Sequence, residues 1–402
     1  MKIKVLHILN RLIIGGPTII ALNIIENLPD DFEVKLLAGE KDEGEEDGNY
    51  IFDSMPSNIV LVPQMRRSIN LINDISAYRA IRRIIKTYKP DIVHTHASKA
   101  GALGRIAAVH SKVPIVIHTF HGHVFHSYFN RLSTWLFLIT ERYLAKKSTK
   151  ILAISKSQKE ELTNDFNICN PDKIKVIPNG IALDKFIENN NQKRKEFRNS
   201  IGIDDDDMII IGIVGRMVPV KNHTMFIKVA HSILSRNQSV NVKFIIVGDG
   251  ETRNEIQHQL DELKIKFCYL PENQMCQDSK VILTSWQTHM DCVFSGLDIV
   301  CLTSLNEGTP ISLIEAQAAG CPVVSTNVGG VRDTVIQSQT ALLSKVNDIE
   351  AFCDNLEQLI KDKSLRARMG KNGREYVMET YNQQRFIKEI SECYKELYLQ
   401  KN

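Results

Sequence analysis

The sequence predicts an α/β protein built from two doubly wound domains that face each other across a cleft. Three observations carry this. Short apolar runs alternate with segments of helical period along nearly the whole chain, the pattern of βαβ units and a parallel sheet. The alternation pauses once, over residues 178–207, and then restarts. The 402 residues exceed what one core ordinarily serves and suit two domains of common size.

The elements follow in order. KIKVLHIL is a strand, and PTIIALNIIENL has the apolar spacing of a helix. EVKLLAG, NIVLVP, DIVHTH, PIVIHTF and KILAIS continue the strand series, completing a first domain over residues 1–190. The helix in RLSTWLFLITERYLAKKSTK fits a core-facing role better than a membrane-surface one, although its ends are basic. PNGIALDKFIENNNQKRKEFRNSIGIDDDD has a Pro-Asn-Gly turn, an Asn run, mixed charges and an Asp run, the marks of a boundary. Its D-x-D precedes a strand instead of ending one, which favours a solvated linker over a metal site. MIIIGIVG, VKFIIVGDG, KVILTS, LDIVCLTS and CPVVST are the strands of a second domain over residues 205–378, with helices such as HTMFIKVAHSIL and ISLIEAQAAG between them. A long amphipathic helix closes the chain at residues 380–402, and its periodicity does not say which domain it covers.

Composition narrows the class. Hydrophobic residues at 43% and charged residues at 24% are the balance of a soluble globular protein. A net charge of +3 is too small to argue for nucleic acid. Eight cysteines stand without any C-x-x-C, mostly in apolar runs, and are expected to be buried reduced thiols of a cytoplasmic protein. The first apolar run is interrupted by Asn10 and Arg11 and lacks a small-residue cleavage pattern, so it reads as a strand and not a signal peptide. No stretch reaches the roughly 18 uninterrupted apolar residues of a membrane span.

Ligands of doubly wound sheets bind beyond the carboxyl ends of the strands, and four such ends suit an anion. Gly15 and Gly16 precede the first helix and permit close backbone approach. Gly215, Arg216 and Lys221 follow the strand at 209–214, and two cations there fit a diphosphate leaving group or are simply solvated. VGDG ends the next strand. In EGTPISLIE, Glu307 falls in a loop, Thr309 is placed to cap a helix and Pro310 suits its first position. The N–H groups around Gly308, Thr309 and Ile311 can hold a phosphate. Glu307 and Glu315 on either side would repel it unless each meets hydroxyl groups, and sugar and ribose hydroxyls are the natural partners. Glu315 as a plain surface residue is the simpler alternative.

Residues 92–140 contain no Asp or Glu and carry seven of the twelve histidines. With Lys99, Arg105, Lys112 and Arg131 they predict a positive surface for a phosphate or phospholipid head group, with Lys99 and Arg105 as acceptor-binding candidates. His118, His121, His123 and His126 follow a strand end, where a catalytic or substrate-binding histidine is favoured over a metal ligand.

Together these residues resemble a retaining glycosyltransferase of family 4 (glycosyl transferases group 1) of the bacterial surface-polysaccharide type. Gly15-Gly16, DIVHTHASKAGALGR, HTFHG, VIPNGI, VGRMVPVKN, IIVGDGE, EGTPISLIE and PVVSTNVGGV stand in the family's order. The specific element is E-x7-E with its upstream Arg and Lys. The resemblance implies the GT-B fold, two Rossmann-like domains, with the last helix crossing back to the first. It implies that Arg216 and Lys221 bind the donor diphosphate, Glu315 the ribose and Glu307 the donor sugar. His121 matches the family's active-site histidine, Gly15 and Gly16 approach phosphate or acceptor, and Trp286 and Gln287 fall where the base pocket lies. The implied chemistry is metal-independent transfer with retained configuration and no cofactor. The donor is a nucleotide sugar, UDP-linked hexose or N-acetylhexosamine first. The acceptor is a glycan or lipid-diphosphate sugar, met at the cytoplasmic face of the inner membrane; no nucleic acid is implied. CYLPENQMCQDSK, residues 268–280, departs from the family pattern. A nucleotide-sugar epimerase and a catalytically silent GT-B binding module are the alternatives, and the intact His121, Arg216, Lys221, Glu307 and Glu315 argue against silence.

Overall fold

A computed structural model describes residues 2–11, 16–39, 58–66, 70–121, 131–236, 241–272, 276 and 278–401. The chain forms two compact units, Met1–Ile181 with Gln383–Asn402, and Ala182–Asn382.

The first unit holds a parallel sheet of β1 (Ile3–Leu9), β2 (Phe32–Ala38), β3 (Ile59–Leu61), β4 (Ile92–His96), β5 (Ile115–Phe120), β6 (Lys150–Ala153) and β7 (Ile174–Val176). Their order is β3-β2-β1-β4-β5-β6-β7. The order reverses between β1 and β4, which is where such sheets open a crevice at their carboxyl edge. β4 and β5 are buried throughout, so their runs are continuous instead of alternating, as a sheet covered on both faces requires. One face packs on Ile20 and Ile24 of helix Gly16–Asn27 and on Phe386, Ile390 and Tyr394 of the final helix, Gln383–Lys401. The other packs on Ala77, Ile81 and Ile85 of helix Leu71–Tyr88 and on Ala100, Ala107 and Ala108 of helix Ser98–His110. That last helix lies hard against the sheet. A Cβ on Gly101 would fall 2.5 Å from the His118 ring, and one on Gly104 2.7 Å from Thr95.

The second unit repeats the plan with β8 (Ile209–Val214), β9 (Val242–Val247), β10 (Phe267–Tyr269), β11 (Val281–Leu283), β12 (Ile299–Leu302), β13 (Val323–Thr326) and β14 (Ala341–Ser344). The order is β10-β11-β9-β8-β12-β13-β14, all parallel, and it reverses between β8 and β12. The stretch read as a boundary is not a bare linker. Its residues from 182 onward belong to this unit, and Asn190–Ser200 is a helix. Arg198 is buried there, donating to Asp298 (2.6 Å) and to the carbonyls of Gly296 and Met208 (3.1 Å each). Phe197 sits over Gly296, where a Cβ would come within 2.3 Å of its ring. Charged residues that look solvated in sequence are thus the docking contacts of the helix.

The expectation of eight reduced cysteines is corrected. Cys268 and Cys276 form a disulfide, their Cα atoms 5.5 Å apart. The spacing of eight residues signalled nothing, because the chain must turn back after β10 to bring the two together. The other six are free.

Candidate functional site

The carboxyl edge of the second sheet, at its β8/β12 reversal, gathers most of the predicted donor-binding residues. The loop after β8 is pressed against the loop after β9. Gly248 has φ +127°, and a Cβ there would lie 2.1 Å from the Gly215 carbonyl, so only glycine fits. Met217 N–H donates to the Asp249 carbonyl at 2.8 Å. The Asp249 carboxylate accepts from Ser285 (2.8 Å), Tyr269 (3.0 Å) and Arg253 (3.1 Å). These bonds fix the turn after β11 and set Trp286 beside it, the residue about half exposed (48%). The Gln287 amide turns back to donate to the Thr284 carbonyl at 3.1 Å.

Across the reversal, the loop after β8 is locked to the end of β12. Leu305 N–H donates to the Val220 carbonyl at 2.8 Å. The Thr303 hydroxyl donates to the carbonyls of Lys221 and Asn222 at 3.1 and 3.0 Å. Lys221 Nζ then reaches Glu307 Oε1 at 2.7 Å, and the Ser304 hydroxyl donates to the same oxygen at 2.5 Å. Both bonds land on Oε1, so Oε2 has no partner among the described residues. The NVGGV loop packs beneath. Cβ atoms on Gly329 and Gly330 would fall 2.0 Å from the Glu307 carbonyl and 1.7 Å from that of Gly308. Arg216 is exposed on this rim with no ion pair among the described residues.

The helix that follows runs Ile311–Ala319, with Pro310 in the cap position and no side-chain cap. This corrects the assignment of Thr309 as the capping residue. Without a cap, the first-turn N–H groups at Ile311 and Ser312 are open to an anion. Glu315 lies on the second turn, half-buried, with no hydrogen bond to the protein among the described residues. Burial pushes its carboxyl up to about 7, with Lys185 opposing. The edge therefore offers one unpaired guanidinium, open helix N–H groups, a carboxylate oxygen held by a lysine, and a carboxyl short of partners. That set has the chemistry to hold an anion flanked by hydroxyl groups.

In the first unit His121 follows β5, part-buried, with burial lowering its ring to about 4. Its Nε2 lies 2.8 Å from His96 Nδ1, and its own Nδ1 is buried without a partner among the described residues. Gly16 opens the first helix. Gly15, His123 and His126 lie outside the described residues.

Two acceptor-side assignments change. Arg105 is fully buried, forming both of its Glu141 contacts through one nitrogen (2.8 and 2.7 Å) and donating through Nε to the Gly101 carbonyl. It is a packing residue and not an acceptor ligand. Glu141 sits beyond residue 140, so the acid-free window hid it. Lys99 Nζ lies 2.5 Å from Asp74 on the neighbouring helix, so its charge is paired as well. Among the described residues of 92–140, Lys99 and Arg105 do not supply the bare cationic surface that the composition predicts. Helix Arg131–Lys147 also departs from a purely core-facing role. Leu144 and Ala145 are buried, while Trp135, Leu136, Ile139 and Tyr143 are exposed.

Sequence reasoning missed Ser304, Asp249 and the partners of His121. His7, His94 and His96 bring ring nitrogens within 4.8 Å of one another, enough for a metal ion by distance. Hydrogen bonds already occupy those nitrogens. The alternation H-T-H was the available signal, since it puts two rings on one face of β4.

The pattern of the Glycosyltransferase Family 4 matches residues 14–185, and that of the Glycosyl transferases group 1 matches residues 193–376. Over 404 residues, all of this chain and 98% of the other, the sequence is 30% identical to the UDP-Gal:alpha-D-GlcNAc-diphosphoundecaprenol alpha-1,3-galactosyltransferase of Escherichia coli. It is also 30% identical to the capsular polysaccharide biosynthesis glycosyltransferase CapM of Staphylococcus aureus, over 84% of this chain and 85% of that one. Among solved structures, Anabaena HepE in complex with UDP superposes with a TM-score of 0.80 at 16% identity, covering 98% of this chain and 100% of that one.

Proposed function

This chain belongs to the group 1 glycosyltransferases with a family 4 amino-terminal half, and we propose that it moves a hexose from a UDP-linked donor to a lipid-diphosphate-linked sugar. The observation that carries the donor side is the Lys221–Glu307 pair beside an uncapped helix that bears the unpartnered Glu315. The diphosphate lies against the helix start and Arg216, which stabilise the leaving charge in place of a metal. Lys221 holds Glu307 so that Oε2 is turned to a sugar hydroxyl. Glu315 accepts from the ribose, and the Trp286 ring stacks the base. His121 contacts the transferring sugar. The acceptor oxygen bonds to the anomeric carbon on the face the diphosphate leaves, the bond to the phosphate oxygen breaks, and a leaving-phosphate oxygen takes the acceptor's proton. The configuration is retained.

UDP-galactose with a polyprenyl-diphosphate-linked N-acetylglucosamine is the first pair to assay, since a full-length relative at 30% identity carries both in its name. UDP release that depends on acceptor, survives a chelator and gives an α-linked product supports the reading. Release of an altered sugar nucleotide without acceptor would make the enzyme an epimerase. Donor binding with no turnover on any acceptor would make it a silent module.

A peripheral membrane contact belongs to the same proposal. No helix among the described residues is long and apolar enough to cross a membrane. Trp135, Leu136, Ile139 and Tyr143 recur along one exposed face of a helix that ends in Lys146 and Lys147, the composition of a helix lying on anionic lipid. Flotation with phosphatidylglycerol vesicles, reduced by Trp135→Ser with Ile139→Ser, supports it; equal flotation of both proteins, or none of either, removes it.

A further inference from the structure

The buried histidines of the first unit form a single file. Thr119 Oγ1 lies 2.7 Å from His94 Nε2, and His94 Nδ1 lies 2.6 Å from the Tyr394 hydroxyl. That hydroxyl is 3.3 Å from His7 Nε2. His7 Nδ1 is 2.9 Å from His96 Nε2, and His96 Nδ1 is 2.8 Å from His121 Nε2. Every ring nitrogen along the file is used once, apart from His121 Nδ1 at its end. Burial keeps all four rings neutral, each held far below the ordinary histidine range. A neutral imidazole has one donor and one acceptor nitrogen, so each ring passes the direction of one link to the next.

Two directions run through the whole file; a third arrangement, with the Tyr394 hydroxyl accepting from both His94 and His7, strands that hydroxyl's own proton and leaves His121 Nδ1 bare. In one direction, Thr119 donates to His94, His94 to Tyr394, Tyr394 to His7, His7 to His96, and His96 to His121 Nε2. His121 then carries its proton on Nδ1. In the other every bond is reversed, and His121 Nδ1 is a bare acceptor. Thr119 has no second acceptor among the described residues. The reversed file therefore strands a buried hydroxyl donor as well as His121 Nδ1, whereas the forward file leaves one group unpaired. Unpaired buried polar groups are costly, and the forward direction wins.

We propose that Tyr394, His7 and His96 are positioning residues that hold His121 as its Nδ1–H tautomer, so that it presents an N–H donor to an oxygen of the transferring sugar. This rests on the reading above that His121 touches that sugar. The file itself is a matter of the first unit alone. A metal at His7, His94 and His96 is the weaker use of the same atoms. It would take the lone pairs that the file needs and put two positive charges in a buried region where none of the described groups in contact is a carboxylate.

Full-length protein with ¹⁵N-histidine, with the His121 signals assigned by their loss in His121→Gln, reports the tautomer through long-range proton–nitrogen couplings. The expected state is neutral and protonated on Nδ1. Protonation on Nε2 would overturn the proposal, as would stoichiometric metal in the purified protein. Tyr394→Phe keeps the ring's packing but cuts the file at its centre. It should shift His121 toward the Nε2–H form and lower kcat about tenfold, the scale of one hydrogen bond, with donor KM little changed. An unchanged His121 spectrum in Tyr394→Phe sinks the idea. If Tyr394→Phe does not fold, Thr119→Val makes the same test from the end of the file, and the wild-type spectrum needs only His121→Gln for its assignment. If His121 is the Nδ1–H tautomer but His121→Ala transfers sugar normally, the file stands and the role of His121 in catalysis falls.

Discussion

At the scale of residues, the proposed division of work between the two carboxylates of EGTPISLIE rests on their environments. Glu307 is ionically held on one oxygen, and Glu315 has no hydrogen-bond partner among the described residues. Glu315→Gln should weaken UDP binding roughly tenfold, by loss of about 1.4 kcal/mol of hydrogen bonding, with a smaller effect on kcat. Glu307→Gln should leave UDP affinity within a factor of about two and lower kcat by roughly 10²-fold. Titration calorimetry and initial rates decide it, and equal loss of UDP affinity in both variants contradicts the division. A pH effect follows with its sign. The Glu315 carboxyl is raised to about 7 by burial, so the free enzyme holds its proton at pH 6. Two ribose hydroxyls prefer the ionised form, so binding expels the proton. UDP affinity should rise with pH up to about 7 and flatten above, and calorimetry in buffers of different ionisation enthalpy at pH 6 should show proton release that Glu315→Gln lacks. Glu307 and Glu315 were legible as candidates because their spacing excludes a shared helical face. The hold of Lys221 and Ser304 on one oxygen was not, since it joins residues 86 and 3 positions away.

At the scale of elements, the helix Ser98–His110 shows how a functional-looking stretch is a packing device. SKAGALGR reads as a cationic strand-end motif, but its glycines let the helix touch β4 and β5, and Arg105 points inward to Glu141. Breaking a buried pair leaves the other charge uncompensated, so Arg105→Ala should cost about 3–5 kcal/mol. Urea denaturation should show this as a lower midpoint. A loss below about 1 kcal/mol, typical of exposed pairs, would mean that the pair is wet in solution. Burial raises the Glu141 carboxyl while Arg105 lowers it, so removing Arg105 leaves burial unopposed. Helix Ile311–Ala319 is the reverse case. Its start was legible from Thr-Pro, but its cap was displaced by one residue because Pro310 takes the extended conformation there.

At the scale of the molecule, the chain buries histidines where other proteins bury aliphatic residues. His7, His94, His96 and His118 are fully buried in the first unit with His121 beside them, and His223 is buried in the second. Burial lowers all six, to about 3 for His7 and about 4 for His121 and His223. A histidine lowered in the folded state charges first in the unfolded one. Its stabilising effect is complete above its ordinary value of 6.5 and is lost as pH falls through the lowered value. Each contributes a slope of about 1.4 kcal/mol per pH unit in that window. Stability should therefore fall steeply from pH 6.5 toward 4, with several protons taken up on unfolding at pH 5, and uptake of one or none would mean that the rings are hydrated. By itself the sequence determined two doubly wound parallel sheets and the transferase family, and it singled out the strand ends proposed to carry the anion chemistry. Those depend on periodicity and on short spacings, which are local. Only the tertiary structure decided that Arg105 is buried, that residues 182–207 fold onto the second sheet, that Cys268 meets Cys276, and that Tyr394 joins His7 and His94. Each of these depends on which side chains the packing of separate elements brings within reach, and no local pattern encodes that.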